Sequence, residues 1–217
     1  MSRAVRIVKK GVCDYETTHA QMLAYTVSRT ADSGDEIWVL EHSPVFTQGT
    51  SCKESPSGPG RDIPLIHSDR GGQITYHGPG QLICYLLLDI KRLGLGPKAL
   101  VNKTEQALIS MLADYAITAN RRPGAPGVYV EGEKIAALGF RIKNGRCYHG
   151  LSLNVDMDLG PFSWINPCGY PEQRVTQMKS LVRTNITPPV IDVVSEQLLN
   201  YLCLQFGVIR EDRVSVG

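Results

Sequence analysis

Apolar and polar positions recur along this chain with two different periods, and the switches between them mark out its elements. Spacing near 3.6 residues predicts three helices. The first opens after Asp14, a good N-cap, carries Met22, Tyr25 and Arg29, and stops at Ser33-Gly34. The second has Pro97 in its first turn and Val101, Leu108, Leu112 and Tyr115 on one face. The third starts at Thr187-Pro188 and runs through Val190, Val194, Leu198 and Tyr201 to Gly207, a natural C-cap. Alternating or continuously apolar runs predict strands at 5–8, 36–41, 63–68, 73–77, 81–89, 127–130, 134–143 and 146–155. Hairpins outnumber β-α-β alternations. The expected fold is α+β, with a mixed, mainly antiparallel sheet flanked by helices.

One hairpin can be read to the residue. Asn144-Gly145 is a two-residue turn signal, and it sets Lys143 opposite Arg146. The same register pairs Gly139 with Gly150, Leu138 with Leu151, and Ala137 with Ser152. Alternation then gathers Ala137, Gly139, Gly150 and Ser152, all small, on one face. Such a face can form a slot for a narrow ligand, or a bed for a tightly packed helix.

Composition narrows the classes. The chain has 217 residues, 42% hydrophobic and 20% charged, so it can bury a core as one domain spanning 1–217. Lys and Arg total 23 and Asp and Glu total 21, a net charge of +2 that argues against a nucleic-acid partner. No apolar run reaches the ~18 residues of a membrane span, and the basic N-terminus lacks the apolar stretch of a secretion signal. A cytoplasmic protein with no membrane partner is expected. The stretch 52–61, rich in Ser, Pro and Gly, reads as a mobile surface loop.

The six cysteines show no C-x-x-C spacing, which argues against a zinc knuckle, and no metal is expected. Cys168 stands apart, in Asn166-Pro167-Cys168-Gly169-Tyr170-Pro171, where turn formers should hold it on a tight loop. It is either an inert loop thiol or a nucleophile, and a nucleophile needs a nearby cation. His149, His77, His42 and Lys134 are candidates for that cation, and the frequency of Cys/His pairs favours a histidine. A glycine-rich segment runs from Arg70 to Gln81 without the spacing of a phosphate loop. Arg70 and His77 would lie roughly 23 Å apart if it were fully extended, unless it bends at Gly71-Gly72.

The strings RGGQITYHGPGQ, KIAALGFRIKNGRCYHGLSLNVD and INPCGY, with EHSPVFTQG upstream, closely resemble the octanoyltransferases of lipoate biosynthesis. The resemblance runs from about residue 41 to 177. It implies a fold shared with the catalytic domains of lipoate and biotin protein ligases. It also implies transfer of an octanoyl group from octanoyl-acyl carrier protein to a lysine of lipoyl domains. Those acceptors are 2-oxoacid dehydrogenase E2 subunits and the glycine cleavage H protein, and no cofactor is implied. Cys168 is then the acyl-thioester nucleophile, and Lys134 the group that activates it. Substrate contacts carry over to Arg70, Gly71, Gly72, Gln73, Ile74, Thr75, Tyr76 and His77. They carry over also to Ala137, Leu138 and Gly139, and to Gly150, Leu151 and Ser152. Strict alternation puts Lys134 on the face opposite Ala137, so a bulge or the strand's end must turn it. The alternatives are an ATP-dependent lipoate or biotin ligase of the same fold, a cysteine hydrolase using His149 or His77, and a non-catalytic acyl-binding module.

Overall fold

A computed structural model describes residues 4–52, 62–165, 173–182 and 189–211. In chain order the elements are β1 (Ala4–Cys13), α1 (Tyr15–Ser28), β2 (Asp35–His42), β3 (Val45–Gln48), β4 (Leu65–His67), β5 (Ile74–His77) and β6 (Gln81–Leu87). There follow α2 (Pro97–Asp114), β7 (Asn120–Arg121), β8 (Gly127–Val130), β9 (Glu133–Lys143), β10 (Arg146–Asn154), a 3₁₀ turn (Gly160–Trp164), α3 (Met178–Leu181), α4 (Ile191–Phe206) and β11 (Ile209–Glu211).

β6 is buried at every position, which is why its sequence is an unbroken apolar run and not an alternating one. Its even-numbered residues Leu82, Cys84 and Leu86 enter the core built with α2 and α4. Its odd-numbered Ile83, Tyr85 and Leu87 enter a second core with Met22 of α1, Trp38, Leu40 and Tyr148. The main sheet therefore has helices on both faces. Among the described residues its order is β11-β1-β2-β6-β10-β9-β8-β7. The β1 pairings with β11 and β2 are parallel and the rest antiparallel, as expected for a mixed, mainly antiparallel sheet.

A three-stranded sheet, β4-β3-β5, stands beside it over a core of Phe46, Ile74, Tyr76, Met157, Phe162 and Ile165. β3, β7 and β11 are two to four residues long, too short for a periodic signal.

Helix α1 begins as expected, with the Asp14 carboxylate accepting from Thr17 N–H at 2.8 Å. Arg29 falls just past its last turn, and Gly207 caps α4 in the left-handed conformation at φ 66°. The expected start of the third helix at Thr187-Pro188, positions 53–61 of the expected loop, and Cys168 lie outside the described residues. No helix among the described residues is long and apolar enough to cross a membrane.

Candidate active site

The β9–β10 hairpin has the register read from the sequence: Lys143 opposite Arg146, Gly139 opposite Gly150, Ala137 opposite Ser152. Asn144 and Gly145 both take positive φ, 52° and 80°, as the two-residue turn requires.

On its other edge β9 carries a bulge. Gly127 faces Ala137 and Val128 faces Ala136, but Tyr129 faces Lys134 and Val130 faces Glu133, so Ile135 is the extra residue. Gly127 and Tyr129 are two apart on β8 and share a face. Their partners Ala137 and Lys134 therefore share it too, which resolves the conflict that strict alternation creates. Lys134 is 6% exposed, and its ammonium stands 5.3 Å from the centre of the Tyr129 ring, within cation–π range. Gly127 makes the room: a Cβ there would come within 3.3 Å of Lys134 Cε and 2.8 Å of the Ala136 carbonyl.

The chain that follows the Cys168 segment is bonded to the same residue. Lys134 N–H donates to the Arg174 carbonyl at 2.9 Å, and Thr176 N–H donates to the Lys134 carbonyl at 3.0 Å.

The glycine-rich segment bends, with Gly72 at φ 91°. Arg70 is buried inside the bend, and its guanidinium donates to the carbonyls of Thr47 and Gln73 at 2.6 and 2.7 Å. Its Nε donates to Thr47 Oγ1 at 2.9 Å, the hydroxyl that also lies 3.4 Å from His77 Nε2. Arg70 and His77 thus meet through Thr47 instead of lying 23 Å apart. Tyr76 points the other way into the small-sheet core, which Ile74 also joins, and lies edge-on to Phe162 with ring centres 5.6 Å apart.

A cavity of about 500 Å³ joins these parts, a size ordinary for a small-molecule site. Every residue carried over in Arg70–His77 except Tyr76 lines it, as do Lys134, Ala137–Gly139 and Gly150–Ser152. Core side chains such as Leu100 and Ile135 complete its apolar wall. Two of the small residues answer to backbone and not to ligand space. A Cβ at Gly139 would come within 2.9 Å of the Gly71 carbonyl, and one at Gly150 within 1.9 Å of the Cys84 carbonyl.

Burial bears on the cations weighed from the sequence. It lowers His77 to about 3 and His42 to about 4, and it also lowers His149, whose Nε2 bonds Asp69 Oδ1 at 2.8 Å. All three imidazoles are held neutral near pH 7, against the expectation that a histidine supplies the charge. The Cys84 and Cys147 thiols are pushed up to about 12 by burial, so neither is a ready nucleophile.

His19, Asp69 and His149 bring three ligand atoms within 4.8 Å of one another, a grouping able to hold a metal ion. As found, both imidazole Nε2 atoms bond the same Asp69 oxygen, and Tyr148 O–H donates to the other.

Thr47, Gln81 and Asn154 lie inside the motif strings, yet sequence reasoning assigned none of them, nor Thr176, a role. The signal for Gln81 and Asn154 is a polar residue in an apolar strand run, where a buried amide demands partners.

Residues 14–202 match the family described as the lipoyl protein ligase A/B catalytic domain. An octanoyltransferase of Chromobacterium violaceum is 60% identical over 177 residues, 81% of this chain and 86% of that one. One from Stutzerimonas stutzeri is 50% identical over 218 residues, 100% of this chain and 97% of its own. Among solved structures, a lipoate-protein ligase A bound with ATP superposes with TM-score 0.76 at 14% identity, over 99% of this chain and 90% of that one. The biotin protein ligase of Aquifex aeolicus gives 0.57 at 12%, over 93% and 70%. These two likenesses are of fold.

Proposed function

The chain belongs to the lipoyl protein ligase A/B catalytic-domain family as an acyltransferase, and we propose that it passes octanoyl from acyl carrier protein to a lipoyl-domain lysine through a thioester on Cys168. The carrying observation is the β9 bulge. It sets Lys134 on the cavity face while the main chain of Lys134 holds the segment just beyond Cys168.

The Lys134 ammonium lowers the thiol pKa of Cys168, and the thiolate attacks the carbonyl carbon of the octanoyl thioester. The carrier's sulfur leaves and takes the Lys134 proton. One thioester replaces another, so this step is nearly balanced. Neutral Lys134 then removes a proton from the incoming lysine ammonium. The amine attacks, the C–S bond breaks, the attacking nitrogen gives up its second proton to water, and Cys168 returns as thiolate beside the protonated Lys134. Formation of an amide from a thioester drives the sequence without ATP.

Lipoyl domains of 2-oxoacid dehydrogenase E2 subunits and the H protein are the proposed acceptors, and the cytoplasm the proposed location. The free state of all five described cysteines accords with a reducing compartment. An adenylating ligase would need ATP, and octanoyltransferases are the relatives at 60 and 50% identity. The test is transfer from octanoyl-carrier protein to a lipoyl domain with ATP omitted. Full transfer is expected, and a strict requirement for ATP would contradict the assignment.

A further inference from the structure

We propose that Gln81 and Asn154 are positioning residues that hold His77 with its proton on Nδ1, leaving Nε2 as an acceptor, and tie it to the main chain of Lys134. The inference rests on the reading of Lys134 as catalytic and deepens it.

The argument starts from a group that cannot reverse. A backbone carbonyl only accepts, so the Asn154 atom 2.9 Å from the Thr176 oxygen is Nδ2. Asn154 Oδ1 then faces Gln81, and the Gln81 atom 2.9 Å away must be Nε2. A second carbonyl, that of Tyr76 at 3.4 Å, demands the same orientation of Gln81. Gln81 Oε1 is thereby turned to His77 Nδ1 at 2.7 Å and can only accept, so Nδ1 carries the hydrogen.

The other end follows from the first. With the hydrogen on Nδ1, Nε2 of the neutral ring can only accept, so the Thr47 hydroxyl gives its hydrogen toward it, at 3.4 Å. The Arg70 guanidinium only donates, and its Nε–H bonds Thr47 Oγ1. The donors therefore run one way: Arg70 to Thr47 to His77 to Gln81 to Asn154 to the Thr176 carbonyl. The next bond in the series is Thr176 N–H to the Lys134 carbonyl.

Every side chain in the series is buried, so each bond broken leaves a desolvated group without its partner. A proton added to His77 would meet the hydrogen of the Thr47 hydroxyl and force that hydroxyl to turn. Tyr15, stacked at 6.1 Å, and His42, at 5.9 Å, offer it no counter-charge. His77 lines the cavity as a neutral ring with both nitrogens engaged, Nδ1 by Gln81 and Nε2 by Thr47.

The experiment pairs imidazole ¹⁵N NMR with transfer kinetics on the full chain. Wild type should show His77 as the neutral Nδ1–H tautomer from pH 6 to 8. Asn154→Leu keeps the shape, leaves the Gln81 amide oriented only by the long 3.4 Å bond to the Tyr76 carbonyl, and should give a mixed tautomer. Its kcat should fall about ten- to a hundred-fold, since small misplacements of reacting groups cost that much, with KM for the carrier little changed. Asn154→Asp can still accept from Gln81 but cannot donate to Thr176. It should keep the tautomer and still lose kcat, and it carries the test if the leucine variant does not fold.

Wild-type His77 protonated on Nε2, an unchanged tautomer in folded Asn154→Leu, or unchanged kcat in Asn154→Asp would each overturn the inference. A wild-type protein with the expected tautomer but no octanoyl transfer would instead overturn the proposed function, and the catalytic half of this inference with it.

Discussion

Lys134 and Thr176 are joined main chain to main chain, Thr176 N–H donating to the Lys134 carbonyl at 3.0 Å. Thr176 lies eight residues beyond Cys168 in the sequence. The bond ties the strand bearing the proposed activating cation to the segment that follows the proposed nucleophile in the sequence.

Removing the cation should be visible at the thiol. Lys134→Ala should slow alkylation of Cys168 by iodoacetamide at pH 7 and move its pH profile upward. Lys134→Arg keeps the charge but surrenders its proton far less readily, so it should preserve first-step acylation better than the second step. Identical alkylation profiles for wild type and Lys134→Ala would show that Lys134 is not the activator.

The two glycines of the hairpin should differ in cost. Gly139→Ala forces a Cβ to 2.9 Å from the Gly71 carbonyl, a small overlap, so a loss of about 1 kcal/mol is expected. Gly150→Ala drives a Cβ to 1.9 Å from the Cys84 carbonyl inside the central sheet, so about 3 kcal/mol is expected. Urea midpoints check the order, and equal losses would contradict it.

The sequence made much of this arrangement legible, for reasons that differ by residue. Asn144-Gly145 fixed the β9–β10 register because positive φ at both turn positions admits few alternatives. The face of Lys134 was not readable from β9 alone, since a bulge is set by the partner strand, and only β8 reveals that Ile135 is extra. The bend that brings Arg70 to His77 was foreseen as an option at Gly71-Gly72, but the Thr47 hydroxyl that joins them belongs to β3, too short to register. The preference for a histidine as the cation runs against burial, of which composition carries no record and which favours the neutral form of His42, His77 and His149.

Those histidines should shape acid stability. Their folded pKa values lie below the ordinary 6.5, so the unfolded chain binds more protons and stability rises with pH across that window. Stability should therefore fall as pH drops below about 6.5, levelling for His42 near its folded value of about 4. Asp69, held low first by its bond from His149, adds a further loss below about pH 3.8. Melting temperatures from pH 7 to 4 should drop less steeply for His42→Gln than for wild type. Parallel curves would contradict the assignment.

Carrier docking should depend on exposed cations near the hairpin turn. Arg141 and Lys143 are exposed, whereas Arg146 is turned inward, its guanidinium bonded to the Arg29 carbonyl. The combined change Arg141→Glu and Lys143→Glu should lower the second-order rate with acidic octanoyl-carrier protein several-fold. The loss should be larger at low salt, given a Debye length of about 8 Å at physiological salt. Transfer from a small uncharged octanoyl thioester should be nearly unchanged, and equal losses with both donors would remove docking as the cause.

The central claim is covalent catalysis at Cys168, and intact-protein mass spectrometry with peptide mapping reads it directly. Incubated with octanoyl-carrier protein and no acceptor, wild type should gain one octanoyl group on Cys168. Added lipoyl domain should then discharge it onto a lysine, and Cys168→Ala should show neither adduct nor transfer. An adduct on another residue, or full transfer by folded Cys168→Ala, would contradict the account.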